Sequence, residues 1–151
     1  MTTIKLTTNY FAPIKTVFNI NRNIDIHQES ASKTKEVAIA GITSGLINKN
    51  ETVTWKGKHF GFNLQHQSII SEMIFPTYFV DEQLNGQFKK FKHQHFFEQK
   101  ENYVEVTDIL EYKTPFGIFG QLFDTILLKK HLTNFIIHRN SILKNLAENQ
   151  Q

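Results

Sequence analysis

Residues 120–146 read GQLFDTILLKKHLTNFIIHRNSILKNL, and the periodicity of this stretch decides the fold. Apolar side chains recur through it at helical spacing: Leu122, Phe123, Ile126, Leu128, Leu132, Phe135, Ile136, Ile142, Leu143 and Leu146. At ~1.5 Å per residue its 27 residues make a rod about 40 Å long. A rod of that length spans a whole antiparallel sheet and buries its apolar face there. If the sheet curves around the rod, the space between them is a pocket. The stretch predicts a container without naming the contents.

Ahead of this helix, Thr114-Pro115-Phe116-Gly117 breaks the chain. Strand signals precede it over residues 43–47, 52–60, 62–75, 77–84, 87–97 and 103–112, punctuated by Gly61, Pro76, Asn85-Gly86 and the polar tract 98–102. Such short connections imply an antiparallel meander. A first strand is expected over residues 4–11. Pro13 then opens a helix whose apolar side is Val17, Phe18 and Ile20, and a second short helix follows over 24–29. Residues 30–40 carry no decisive period, and Lys33, Lys35 and Glu36 mark them as partly exposed. The expected class is α+β: a curved antiparallel sheet of about seven strands around a long C-terminal helix, with two short helices after strand 1.

At 151 residues the chain is expected to form one domain, residues 1–151, burying about 68–70% of its unfolded surface without covalent staples. Cysteine is absent, which excludes disulfides, thiolate nucleophiles and cysteine-based zinc sites. The N-terminal MTTIKLTTNY has no apolar signal-peptide core, and no run of about 18 apolar residues occurs. A cytoplasmic protein without stable membrane insertion is expected, as a monomer or weak homodimer. Net charge is +3. Its lysine clusters (Lys89, Lys90 and Lys92; Lys129 and Lys130) read as solvated faces, so no nucleic-acid partner is expected. Phenylalanine is abundant, with 14 copies against one Trp and four Tyr; these rings either fill a core or line an apolar cavity.

Alternation along the strands assigns their faces. Phe91, His93, His95 and Phe97 share one face, and Lys90, Lys92 and Gln94 the other. Val104, Val106, Asp108, Leu110 and Tyr112 point together, as do Val53, Trp55, Gly57 and His59, and Phe62, Leu64, His66 and Ser68. Strand 77–84 allows two phases, with either Tyr78, Val80 and Glu82 or Phe79 and Asp81 inward. His59, His66, His93, His95 and Asp108 thereby fall on faces that are to be buried. An unpartnered buried polar group costs about 1–3 kcal/mol, against a net domain stability of roughly 5–15 kcal/mol. These groups must bond one another, water or a ligand.

Several local strings, in order along the whole chain, resemble small bacterial proteins of the SRPBCC, or START-like, superfamily. They are Ala12-Pro13 with Val17-Phe18; Arg22, Ile24-Asp25 and His27; Gly41 with Thr43-Ser44-Gly45; Val53-Thr54-Trp55; and His59-Phe60-Gly61. Further on come Phe79-Val80-Asp81-Glu82-Gln83 with Gly86 and Phe88; His93 and His95; and Asp108 with Tyr112, Pro115 and Gly117. The resemblance implies the helix-grip fold, in which a curved sheet and a C-terminal helix enclose a hydrophobic cavity. That superfamily includes polyketide cyclases/dehydrases and lipid-transfer domains, and relatives carry ligand-binding or cell-division-related labels.

His93-x-His95 places two imidazoles on one strand face, about 6.5–7 Å apart at the backbone. A third ligand, Asp108 or His59, would complete a metal site. The glycine and glutamate spacing around the pair fits the cupin motif poorly, and no metal or other cofactor is expected. Asp108 facing His93 or His95 makes either an acid–base pair or a polar network that orients a ligand headgroup. In the first case Tyr112 or His59 would polarise a carbonyl. The network is the expectation. The predicted function is binding of an apolar or amphipathic molecule, such as a lipid, isoprenoid or polyketide-like compound. Its predicted contacts are Trp55, His59, His66, Glu82, Phe91, His93, His95, Phe97, Asp108, Tyr112, Phe119 and Phe123. A cyclase or dehydrase with His93, His95 and Asp108 as catalytic candidates is the competing reading. A protein-interaction module acting through residues 116–123 is the third. That segment reads either as a lip of the cavity or as a tightly packed helix start. Arg22 and Asp25 read as a surface pair, and His27 as a cap on one end of the pocket.

Overall fold

Strand β1 (Thr2–Tyr10) leads into two short helices, α1 (Ile14–Asn21) and α2 (Ile24–Ser30). Six strands follow: β2 (Val37–Gly41), β3 (Thr52–His59), β4 (Phe62–Ile74), β5 (Tyr78–Asn85), β6 (Lys90–Gln99) and β7 (Val104–Lys113). Helix α3 then runs without a break from Gly117 to Asn149. The coordinates, a computed structural model, describe residues 1–150. All seven strands join one antiparallel sheet in the order β1-β7-β6-β5-β4-β3-β2. The meander β2–β7 is thus closed on one side by β1. Among the described residues no helix is long and apolar enough to cross a membrane.

Local chemistry explains these elements. Pro13 precedes α1, where its missing N–H has no helical partner to lose. Asn23 caps α2, its Oδ1 accepting the Ile26 N–H at 3.1 Å. In β7 the alternation is strict: Val104, Val106, Asp108, Leu110 and Tyr112 are buried, and the residues between them are half-buried. In α3 the buried positions Gly120, Asp124, Leu128 and Leu132 are spaced by four, which outruns a 3.6-residue period. A wider π turn over Asp124–Leu128 absorbs that drift. Gly120 is required where it stands, because a β-carbon there would lie 1.8 Å from the Pro115 carbonyl oxygen.

Two expectations are corrected. Residues 43–47 form no strand; they loop past the helix ends, with Leu46 bridging Asn23 and the Ile47 N–H donating to Arg22 O at 3.2 Å. The strand that pairs with β3 is β2, within the segment that carried no decisive period. As a bulged edge strand, with Val37 and Ile39 exposed, it buries no complete face and so shows no alternation. Arg22 and Asp25 do not pair. Arg22 bonds Asn19, Ile47 O and Asn48, while Asp25 accepts from Ser44 and the Gly45 N–H.

The buried apolar residues fall into two clusters. One gathers Tyr10, Val17, Phe18, Phe79, Phe97 and Leu143 with their neighbours, where α1, α2 and the end of α3 meet the sheet. The other joins Ile4, Leu110 and Tyr112 to Leu128, Leu132 and Ile136 of α3. Under the middle of the helix the core does not close.

Candidate functional site

A cavity of about 500 Å³ occupies the gap, between the concave face of the sheet and α3. Its wall is mostly apolar: Trp55, Phe79, Phe91 and Leu110 from the sheet, and Leu132 and Ile136 from the helix. Two polar groupings interrupt it.

The first centres on Asp108, which is fully buried. His95 pairs directly with Asp108 across β6 and β7, so both point to the same face. His93 Nε2 lies 2.9 Å from Asp108 Oδ1 in a hydrogen bond. His95 Nδ1 stands 2.8 Å from the same oxygen, without an aligned hydrogen bond. From the helix, Asn140 Nδ2 donates to Asp108 Oδ2 at 2.6 Å, and Arg139 Nη1 donates to Asn140 Oδ1 at 3.1 Å. Burial alone would raise the Asp108 carboxyl; the hydrogen bond from His93 and the close approach of His95 outweigh it and hold the group well below its usual range. Burial, reinforced by neighbouring His93, brings the His95 imidazole down to about 3, so it is neutral.

The second grouping centres on Glu36. His27 Nε2 lies 2.7 Å from Glu36 Oε2, and His59 Nε2 lies 3.3 Å from Oε1. His59 Nδ1 reaches His131 Nε2 of α3 at 3.0 Å. Burial would raise the Glu36 carboxyl, but its bonds to His27 and His59 prevail and bring it down to about 2. Gly57 makes the room: a β-carbon there would stand 2.8 Å from Glu36 Cγ. The His27 ring in turn packs 4.2 Å from the Trp55 ring.

No protein-family model and no curated protein sequence matches the chain. Solved structures do. TTHA0849 from Thermus thermophilus superposes with a TM-score of 0.74 at 12% identity, over 94% of this chain and 97% of that one. A START superfamily protein from Mycobacterium smegmatis superposes with a TM-score of 0.73 at 12% identity, over 99% of both chains. The fold is the START-like helix grip. Ginseng major latex-like protein 151 from Panax ginseng shares it, with a TM-score of 0.69 at 11% identity over 97% of each chain. At such identities the likeness establishes architecture alone.

Within this START-like frame, Trp55, His59, His66, Phe91, His93, His95, Phe119 and Phe123 line the cavity. Four predicted contacts do not. Glu82 lies on the other face, 3.9 Å from Lys92. Phe79 pairs with His95 and Asp81 with His93 across β5 and β6, which puts Phe79 and Asp81 inward and Glu82 outward. Phe97 packs into the first cluster, 4.9 Å from Phe18. Asp108 lies behind His93 and His95. The Tyr112 hydroxyl donates to Asp124, which also accepts from Thr2, so it is not free to polarise a carbonyl.

The sequence did not single out Glu36, His131 or Arg139, and it offered Asp81 only as one of two possible inward phases; all four lie on the cavity wall. Residues 116–123 form a lip. Phe116, Phe119 and Phe123 line the opening while remaining exposed, Phe119 by 82%. Phe60 meets Phe123 edge-on at 5.2 Å across it. Only Gly120 of that segment is tightly packed.

His93, His95 and Asp108 offer ligand atoms within 4.8 Å of one another, a spacing that metal coordination can use. Asp108 Oδ2 is bonded to Asn140, whose Oδ1 accepts from Arg139, so the trio also belongs to a wider polar network.

Proposed function

We propose that this chain binds an apolar or amphipathic small molecule in the cavity beneath α3. The observation that carries the reading is the cavity itself: about 500 Å³, walled by aromatic and aliphatic side chains with a few converging polar groups. That is the size and make-up of small-molecule sites. The exposed Phe116, Phe119 and Phe123 at its rim suit a portal through which an apolar ligand passes.

The acid–base reading draws less support. Asp108 and His95 are both displaced far from the range in which a group exchanges protons near neutrality. Tyr112 and His59, the possible polarising donors, are engaged by Asp124 and by Glu36 with His131.

The test uses the neutral fluorophore N-phenyl-1-naphthylamine together with native mass spectrometry of gently purified protein. Uptake with a blue-shifted emission, at one probe per chain, is the expected result. No uptake, and no co-purifying mass in repeated preparations, would overturn the proposal.

A further inference from the structure

Arg139 lies in phase with Leu132, Ile136 and Leu143 on the buried stripe of α3 and is only 5% exposed, yet it lines the cavity. Guanidinium groups remain charged in proteins. Its Nη1 donates to Asn140 Oδ1 and its Nη2 to Asn21 O, each at 3.1 Å. Among the described residues no carboxylate oxygen lies within 4.0 Å of it. Its other N–H groups have no acceptor there.

The other charges on or behind the wall are differently placed. Arg22 is satisfied by Asn19, Ile47 O and Asn48. Glu36 is shared by His27 and His59. Asp108 offsets the charge of Arg139 at a distance, but both its oxygens are taken by His93 and Asn140. The guanidinium therefore has its charge offset through Asn140 while part of its hydrogen-bonding capacity stays open. A donor left open inside the protein is destabilising, and an oxygen-bearing ligand removes that cost.

We propose that Arg139 anchors the carboxylate of an amphiphilic monoacid whose apolar body lies against Trp55, Phe91, Leu110 and Leu132. The inference rests on the cavity-binding reading above and names the class of ligand. A guanidinium fork matches a carboxylate in both geometry and charge. A phosphate monoester carries roughly 1.5–2 negative charges, more than one buried guanidinium offsets. A neutral hydroxyl or carbonyl leaves the fork half-filled. Asp81, on the wall opposite His93 with Oδ1 buried and without a donor, would repel a second acidic group. The ligand therefore carries one.

Displacement of N-phenyl-1-naphthylamine by dodecanoate, dodecanol and dodecyl phosphate tests this. In the wild-type protein dodecanoate should displace the probe at least about tenfold more effectively than dodecanol. R139M should bring the two to near parity while still taking up the probe, and R139K should retain part of the preference. Each comparison is a ratio within one protein, which a general loss of packing does not move. If R139M does not fold, the wild-type protein suffices: the 13C carboxyl signal of bound [1-13C]dodecanoate should titrate below that of the free acid. A midpoint at or above the free value overturns the proposal, as burial without a cation would raise it. Uptake of the probe with equal displacement by acid and alcohol, or with a preference for the phosphate, sinks the carboxylate assignment and leaves the cavity reading standing. No uptake by the wild-type protein sinks both.

Discussion

Replacing Asp108 by asparagine exchanges one oxygen for an amide nitrogen at the centre of the buried polar network, and the structure dictates where the damage falls. Arg139 can only donate, so Asn140 must turn its Oδ1 to Nη1 and therefore its Nδ2 to Asp108. Asp108 is the acceptor on which Asn140 and His93 both converge. In Asp108→Asn the remaining oxygen must keep facing Asn140, and the new amide group faces His93 Nε2 and His95 Nδ1. A histidine can switch tautomer and accept, which rescues part of the bonding. The negative charge that offsets Arg139 is not rescued. The loss should lie between that of an orphaned donor, about 1–3 kcal/mol, and that of a broken buried ion pair, about 3–5 kcal/mol.

A central value of about 3 kcal/mol, divided by a urea dependence of roughly 1–3 kcal/mol per molar, lowers the unfolding midpoint by about 1–3 M. The single tryptophan, Trp55, stands in the cavity wall and reports the transition by fluorescence. Glu111→Gln makes the same chemical change on the opposite face of β7 and should leave the stability within about 0.5 kcal/mol of wild type. If Asp108→Asn behaves like that control, the carboxylate is not the sink of the network and the charge argument fails.

Three further outcomes follow from the same geometry. The unfolded chain protonates His95 near 6.5 and the folded one only near 3, so the burial of neutral His95 leaves stability intact above pH 6.5 and erodes it as pH falls toward 3; urea midpoints across that window should decline, less so in His95→Gln, and a flat wild-type profile would contradict a neutral buried imidazole. Gly57→Ala drives a β-carbon to 2.8 Å from Glu36 Cγ, so about 1–3 kcal/mol and roughly 2–10 °C of Tm should be lost in a thermal melt; an unchanged melt would mean Glu36 does not occupy the space beside Gly57. Leu132→Phe adds bulk to the cavity wall and should weaken uptake of N-phenyl-1-naphthylamine about tenfold while altering stability by less than about 2 kcal/mol; undiminished uptake would place the probe elsewhere.

The fold was legible because it rests on periodicity. The alternation in β6 and β7 and the apolar stripe of α3 each report a buried face without reference to any distant residue. The phase of β5 could not be read that way, since both Tyr78-Val80-Glu82 and Phe79-Asp81 are plausible inner sets. It follows only once β5 is set in register against His93 and His95. Arg139 was readable in principle: a permanent charge in phase with Leu132, Ile136 and Leu143 breaks the stripe and calls for a partner. Glu36 was not. It follows Lys33 and Lys35 on a segment with no alternation, and it is drawn inward by a gap at Gly57, which belongs to β3. Edge strand β2 was missed for a related reason, because a strand with one unpaired side and a bulge buries too little to leave a pattern.

The cavity is too large to be a packing accident. Unfilled apolar volume in a core is destabilising, and about 500 Å³ stands open beneath α3. The chain does not lack bulk to fill it, having 14 phenylalanines. Instead Phe116, Phe119 and Phe123 stand at the rim, exposed, and the space beneath α3 is left open. Water would be a poor permanent occupant, because ordered water needs several polar partners and most of this wall offers none. Polar groups on the wall include Arg139, His93 with Asp108 bonded behind it, and Glu36 with its histidines. An occupant that satisfies such a wall has an extended apolar body and a polar end, so the shape of the hollow and the unfilled guanidinium point to the same kind of molecule.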